Sequence, residues 1–196
     1  VEGFDFSDFS QWVSQRVLTA YQQRHFETFI ANHAFKPLIQ IIVRCPSNSA
    51  PDALAQSLQS IQAATLCGMK VASHAWHESD SIDLASFANH MAQVHAPDFL
   101  MIIEAGDELT SCGLLMAYVE MLKHPDRHAF YADKMLRAPG GSIETAYLPD
   151  FNHDLLVSFP WLMSNHWLFK RESLHHLGGF DSNTGRFMEL AFILKL

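Results

Sequence analysis

The sequence predicts an α/β fold with a mixed, mainly parallel sheet flanked by helices. Short apolar runs rich in β-branched residues, at 38–43 and 99–103, alternate with segments of helical periodicity. That alternation implies strands joined by helical crossovers. The runs are apolar at nearly every position, as in strands buried on both faces. The second run ends abruptly at Glu104, Asp107 and Glu108. An acidic group at the carboxyl end of a buried strand is where open α/β sheets place ligand chemistry.

Each element has its own reason. Phe9, Trp12, Val13, Val17, Tyr21, Phe26, Phe29 and Ile30 recur at roughly helical spacing, so residues 7–33 read as a leading helix, capped by Ser7 or Asp8 and stopped by Pro37. The strand at 38–43 enters a loop rich in Pro and Ser at 45–51. A helix over 52–64 carries Leu54, Leu58 and Ile61 on one face. A weak second strand at 69–73, a polar loop at 74–81 and a helix at 82–94 lead to the third strand at 99–103. A helix then covers 108–123, with Leu114, Leu115, Tyr118 and Leu122 as its apolar positions. A short strand at 129–131, a turn at 138–142 suited to a hairpin tip, a short helix from Asp154, a strand over 161–169 and a helix at 172–176 follow. A final helix begins at Glu189.

Composition narrows the function. The chain has 196 residues, enough for one domain with a full core; 48% are apolar and 17% charged, which is globular. A formal charge of −8 without a Lys/Arg cluster argues against a nucleic-acid or anionic-membrane surface. Cys45, Cys67 and Cys112 are far apart and form no CxxC, so neither a disulfide framework nor a zinc finger is indicated, and a cytoplasmic setting is expected. No transmembrane segment is predicted, because no apolar run nears the roughly 20 residues that span a bilayer. No GxGxxG, P-loop or GxSxG is present. His74 and His77 with Glu78 and Asp80 supply ligand types but no HExxH, so zinc is not expected. The chain opens on Val1 and ends at Leu196 within an apolar segment, and is expected to be part of a longer protein with further domains.

An ordered set of phrases covers residues 36–196. Pro37-Leu-Ile-Gln-Ile-Ile-Val43 opens it. Ile103-Glu-Ala-Gly-Asp-Glu-Leu109 follows, then His124-Pro-Asp126 with Phe130-Tyr-Ala-Asp133. Next come Tyr147-Leu-Pro-Asp-Phe-Asn-His-Asp-Leu-Leu156, Lys170-Arg-Glu-Ser-Leu174 and Gly178-Gly-Phe-Asp181. The set resembles the glycosyltransferases of the GT-A fold (nucleotide-diphospho-sugar transferase-like) in the large inverting family 2. Residues 1–35 would then be a leading helical segment and 36–196 the GT-A-like domain.

The resemblance implies transfer of a sugar from a nucleotide-sugar donor to a saccharide acceptor, in bacterial surface polysaccharide or glycan synthesis. The setting would be the cytoplasm, at the inner face of the membrane. It implies a divalent cation, Mn²⁺ or Mg²⁺, that screens the diphosphate, and a carboxylate base for the acceptor hydroxyl. Glu104 stands for the first Asp of the family's Asp-x-Asp, and Gly106 for the last. Glu104 and Asp107 are the candidate metal ligands; Asp107 is also well placed to cap the helix that follows, the reading that the preference of Asp for caps favours. Arg44, His74, Glu104 and His166 are the candidate donor-binding residues, with Arg44 directed at a phosphate and His74 or Trp76 stacking on a base. Glu189 falls on the catalytic position, where the family has an Asp, and Asn165 precedes the pocket-facing His166. The motif departures also admit two other readings: a degenerate domain serving as a carbohydrate-binding or scaffolding module, and metal-independent transfer with Arg44 or Lys134 in place of the cation.

Overall fold

The structure, a computed structural model, describes residues 17–137 and 143–196. The expected cap at Ser7 or Asp8, the apolar positions Phe9, Trp12 and Val13, and the turn at 138–142 lie outside them. Helix α1 (Ala20–Asn32) starts at Thr19 in a capping box: the Thr19 hydroxyl accepts from the Gln22 N–H, and the Gln22 side chain accepts from the Thr19 N–H. Strand β1 (Leu38–Cys45), helix α2 (Ala53–Ala64), strand β2 (Lys70–His77), helix α3 (Leu84–Val94) and strand β3 (Phe99–Glu104) then alternate. Helix α4 (Gly113–Lys123) leads to β4 (Ala129–Phe130) and a hairpin of β5 (Lys134–Arg137) and β6 (Ile143–Ala146). Short helices α5 (His153–Ser158) and α6 (Pro160–Met163), strand β7 (Leu168–Lys170) and helix α7 (Arg171–His176) follow. A 3₁₀ turn (Ser182–Phe187) opens into α8 (Met188–Ile193).

The main sheet has the order β2-β1-β3-β7-β4. β1 runs parallel to β2 and β3, and β7 is antiparallel to both β3 and β4. This is the mixed, mainly parallel sheet that the alternation predicts.

Both faces of the sheet are buried, which explains the continuous apolar runs. With a side-chain period of two, Ile39, Ile41 and Val43 pack with Ile61, Leu114 and Met121 on the side of α2 and α4. Ile42, Leu100 and Ile102 face the other way, onto Ala88 and Met91 of α3, Phe180, and Phe192 of α8. Helix α1 packs on α4 through Ile30, Leu115 and Tyr118, with Phe26 and Phe29 against them.

Three expected boundaries move. β2 runs on to His77, because β1 itself continues to Cys45 and supplies partners: Arg44 lies beside Trp76, and Cys45 beside His77. α4 starts at Gly113, not at Glu108. The preceding stretch is drawn onto α2, where Ser57 Oγ donates to the Asp107 carbonyl and Ser60 Oγ accepts the Leu109 N–H. Residues 161–169 are not one strand. Pro160 opens a turn of helix, where its missing N–H costs nothing, and His166 at φ 65° interrupts the extended chain, leaving only 168–170 in the sheet.

The buried Tyr118 hydroxyl donates to the Phe35 carbonyl at 2.8 Å, tying the chain after α1 to α4. Tyr118→Phe removes that bond and is expected to lower the unfolding free energy by about 1 kcal/mol, measured by urea denaturation.

Candidate active site

The site forms where the carboxyl ends of β1 and β3 meet α8. Arg44 and Glu104 are register partners on adjacent strands, on the same face as Ile42 and Ile102. Their side chains meet at 3.6 Å and are 34% and 52% exposed, so the pair is a solvated one that contributes little to stability.

Beyond Glu104 the chain turns sharply. Gly106 sits at φ +103°, a conformation that side chains rarely adopt, while the space beside it would admit a Cβ in ordinary contact with Ala53. Backbone conformation, not crowding, calls for glycine there. The Gly106 N–H donates to Ser57 Oγ at 2.9 Å, and the Glu104 N–H donates to Asp107 Oδ2 at 2.7 Å. Asp107 is therefore not a helix cap: α4 begins six residues later, behind Cys112. Its carboxylate closes the turn and points at His166, whose Nε2 lies 2.8 Å from Oδ2.

His166 reaches this position with a left-handed backbone, a conformation that costs a non-glycine residue about 1 kcal/mol and is concentrated at functional sites. Burial works against the charge on Asp107. The His166 hydrogen bond and charge, the Glu104 N–H and the nearby Lys134 ammonium outweigh it and hold the carboxyl below its usual value.

Lys134, the first residue of β5, donates from Nζ to Asn165 Oδ1. It is half-buried, whereas Met135, Leu136 and Arg137 after it are exposed. Partial burial lowers its pKa, against the raising effect of Glu189 and Asp107.

Glu189, in the first turn of α8, is 9% exposed. Burial pushes its carboxyl up to about 8, against the opposing influence of Lys134, the Trp167 backbone N–H and Arg44. Its Oε1 is buried and has no hydrogen-bond partner. Thus Arg44, Glu104, Asp107, Lys134, His166 and Glu189 converge on one region, linked by hydrogen bonds, an ion pair or mutual charge.

These residues do not fit a divalent cation. Asp107 Oδ2 already accepts two hydrogen bonds, Glu104 faces Arg44, and the position between them is Gly106, which has no donor atom. Among the described residues, no group of three or more His, Cys, Asp or Glu side chains is placed to hold an ion. In this structure Glu104 and Asp107, the expected metal ligands, are paired instead, the first with the Arg44 guanidinium and the second with the His166 imidazole.

His74 is also placed differently from the expectation. It lies inside β2 rather than in the loop beyond, and its Nδ1 is 2.8 Å from Gln40 Nε2. Its ring sits 5.0 Å from that of His95. Burial, then the neighbouring His95, lowers its pKa. Trp76 is buried, with Nε1 donating to the Ile82 carbonyl, so it packs the core and is not free to stack on a base.

The strand ends instead border a cavity of about 280 Å³ lined by Cys45, Ser47, Pro51, His77, Glu78 and Ala105 among others. Glu78 accepts both the N–H and the hydroxyl of Ser47 at 2.9 Å, and these bonds hold its carboxyl below the usual range. Ala105 joins this cavity to the turn that carries Asp107. Residue type alone had suggested Glu78 only as a zinc ligand. Its distance from the Cys45–Ser47 loop in sequence, and the hidden extension of β2, left this placement without a signal.

Solved structures share this fold. The chain superposes on Staphylococcus aureus TarS, residues 1–349, with a TM-score of 0.53 at 12% identity, over 80% of this chain and 54% of that one. It superposes on the mannosyltransferase PcManGT from Pyrobaculum calidifontis, in complex with GDP-Man and Mn²⁺, with a TM-score of 0.51 at 14% identity, over 85% and 56%. The fold is that of the GT-A glycosyltransferases. The chain spans little more than half the length of either neighbour. No protein-family model matches the sequence, and no curated protein matches it.

A glutamate ionises near 4.5 when unfolded, but near 8 at position 189 in the folded chain. Across that window the folded state holds a proton that the unfolded state lacks, so Glu189 makes stability fall as pH rises. Glu189→Gln mimics the protonated side chain and removes this slope. The wild-type Tm is expected to drop more steeply than that of the variant between about pH 5 and about pH 8.5, measured by scanning calorimetry.

Proposed function

We propose that this chain is the catalytic part of an inverting, family 2 glycosyltransferase. It moves a sugar from a nucleoside diphosphate donor to a saccharide acceptor in bacterial surface polysaccharide or glycan synthesis, in the cytoplasm at the inner face of the membrane. Residues 36–196 form the transferase domain, behind a leading helical segment over 1–35, with further domains in the same protein. The observation that carries the reading is Glu189: a carboxyl with a raised pKa and a free oxygen, beside the ends of the parallel strands in a GT-A fold. Perturbed carboxyls at such positions are functional-site candidates.

In this reading the nucleoside lies in the cavity by Cys45, Ser47 and Glu78. Arg44, near the end of β1, and His166, just before β7, approach the diphosphate. Ionised Glu189 takes the proton of the acceptor hydroxyl as its oxygen bonds to the anomeric carbon. The bond from that carbon to the diphosphate breaks on the opposite face, and configuration inverts. Among the described residues, no helix is long and apolar enough to cross a membrane.

A second reading is favoured by the enclosure of Glu189, which is 9% exposed, and by Gly106 in the place of the acidic ligand. The chain would then be a degenerate carbohydrate-binding or scaffolding module. Release of nucleoside diphosphate from UDP-, GDP-, CDP- and dTDP-sugars with saccharide acceptors separates the two. Transfer is expected, with kcat/KM rising with pH to an inflection near 8, as Glu189 ionises. Glu189→Gln should reduce it by about 10²- to 10⁴-fold. A folded chain that binds saccharide but no nucleotide selects the second reading.

A further inference from the structure

The surroundings of Lys134 are unusual for a structural lysine. The residue is half-buried, its hydrogen-bond partner is the neutral amide of Asn165, and it forms no ion pair within 4 Å among the described residues. A partly dehydrated cation without a direct counter-ion is costly unless something anionic arrives. The nearby carboxyls, Asp107 and Glu189, act on it only from beyond ion-pair distance. Asp107 is bonded to His166 and to the turn, and Glu189, with its raised pKa, is largely neutral at pH 7. Arg44 adds a second positive charge felt at Glu189; the exposed Glu104 faces it at 3.6 Å, and the Glu78 carboxylate also feels it.

The same region lacks the donors a divalent cation needs. Gly106 is required by a φ of +103°, so the missing acidic side chain belongs to the shape of the turn. A doubly charged ion placed there would meet Lys134 and Arg44 as repelling neighbours.

We propose that Lys134, assisted by Arg44, takes the place of the divalent cation and neutralises the donor diphosphate, so that this chain binds nucleoside diphosphates without metal. This rests on the glycosyltransferase reading and deepens it. Lys134 serves as a point charge for the phosphate oxygens, and Arg44 can present two parallel N–H donors to them. Asn165 orients the ammonium, and the His166–Asp107 pair fixes the segment that carries Asn165. As the sugar departs, the charge that builds on the diphosphate is met by these fixed side chains.

The test is calorimetric titration of the whole chain with UDP, GDP, CDP, dTDP and inorganic pyrophosphate, each in EDTA and in Mn²⁺. At least one nucleotide is expected to bind in EDTA within about threefold of its affinity in Mn²⁺. Lys134→Met should weaken that binding about tenfold or more, as loss of a charge-assisted bond does, while Lys134→Arg keeps most of it. Binding seen only with Mn²⁺ overturns the proposal and leaves the glycosyltransferase reading standing. Unchanged affinity in a folded Lys134→Met overturns it equally. Should that variant not fold, the wild-type comparison of EDTA with Mn²⁺ decides alone. No binding by any nucleotide, with or without Mn²⁺, overturns the glycosyltransferase reading and this proposal with it.

Discussion

The buried hydroxyl of Ser57 accepts the Gly106 N–H at 2.9 Å and donates to the Asp107 carbonyl at 2.7 Å. With it, α2 holds the turn that ends β3. Ser60, one turn later on the same helix, accepts the Leu109 N–H. Backbone groups in an irregular segment have no ladder or helix to satisfy them, and each one left unpaired inside a protein costs about 1–3 kcal/mol. Two serines on the inner face of α2 supply those partners. The position of Asp107, and through it the orientation of His166, follows from how α2 packs on the sheet.

Around that turn the ionisable groups are arranged as a near-matched set. Arg44 faces Glu104, His166 faces Asp107, and Lys134 stands near both Asp107 and Glu189. The pairs differ in environment, and this sets their behaviour. The first is solvated and nearly neutral in its effect on stability. The second keeps its carboxylate ionised. In the third, burial leaves the carboxyl protonated near neutrality, and the ammonium has no ion pair within 4 Å among the described residues. Two carboxyls with pKa values pushed in opposite directions can play different roles at one pH.

The parts of the fold that are governed by periodicity could be read from the sequence. β1, α2, α3 and β3 fall close to where the apolar patterns put them, because both faces of the central strands are buried and the helices are amphipathic. The GT-A architecture followed from the order of the motifs. What depends on tertiary partners was hidden. β2 extends to His77 only because β1 offers it a longer edge. Asp107 has the residue type and spacing of a helix cap, but Ser57 and His166 compete for that segment and win. Residues 161–169 have strand composition, and the break comes from Pro160 and from the left-handed backbone of His166. His166 and Glu189 were placed in the site by resemblance, and the structure brings both into the convergence. Lys134 could be named as a cation, but its half-buried place beside Asn165 depends on a hairpin whose register no local pattern fixes.

The sheet order also has a temporal consequence. β7, at 168–170, inserts between β3, at 99–104, and β4, at 129–130, and is the strand that joins β4 to the sheet. During synthesis the open edge of β3 must therefore wait for more than sixty further residues before its antiparallel partner exists. Such distant pairing is slow to nucleate, because the loop between must close before any contact rewards it. Until then β3, an apolar strand, presents an unpaired edge of the kind that invites pairing with other chains. The final assembly of this domain is thus gated by its last third, and the segment bearing Asn165 and His166 reaches the site in the same step that seals the sheet.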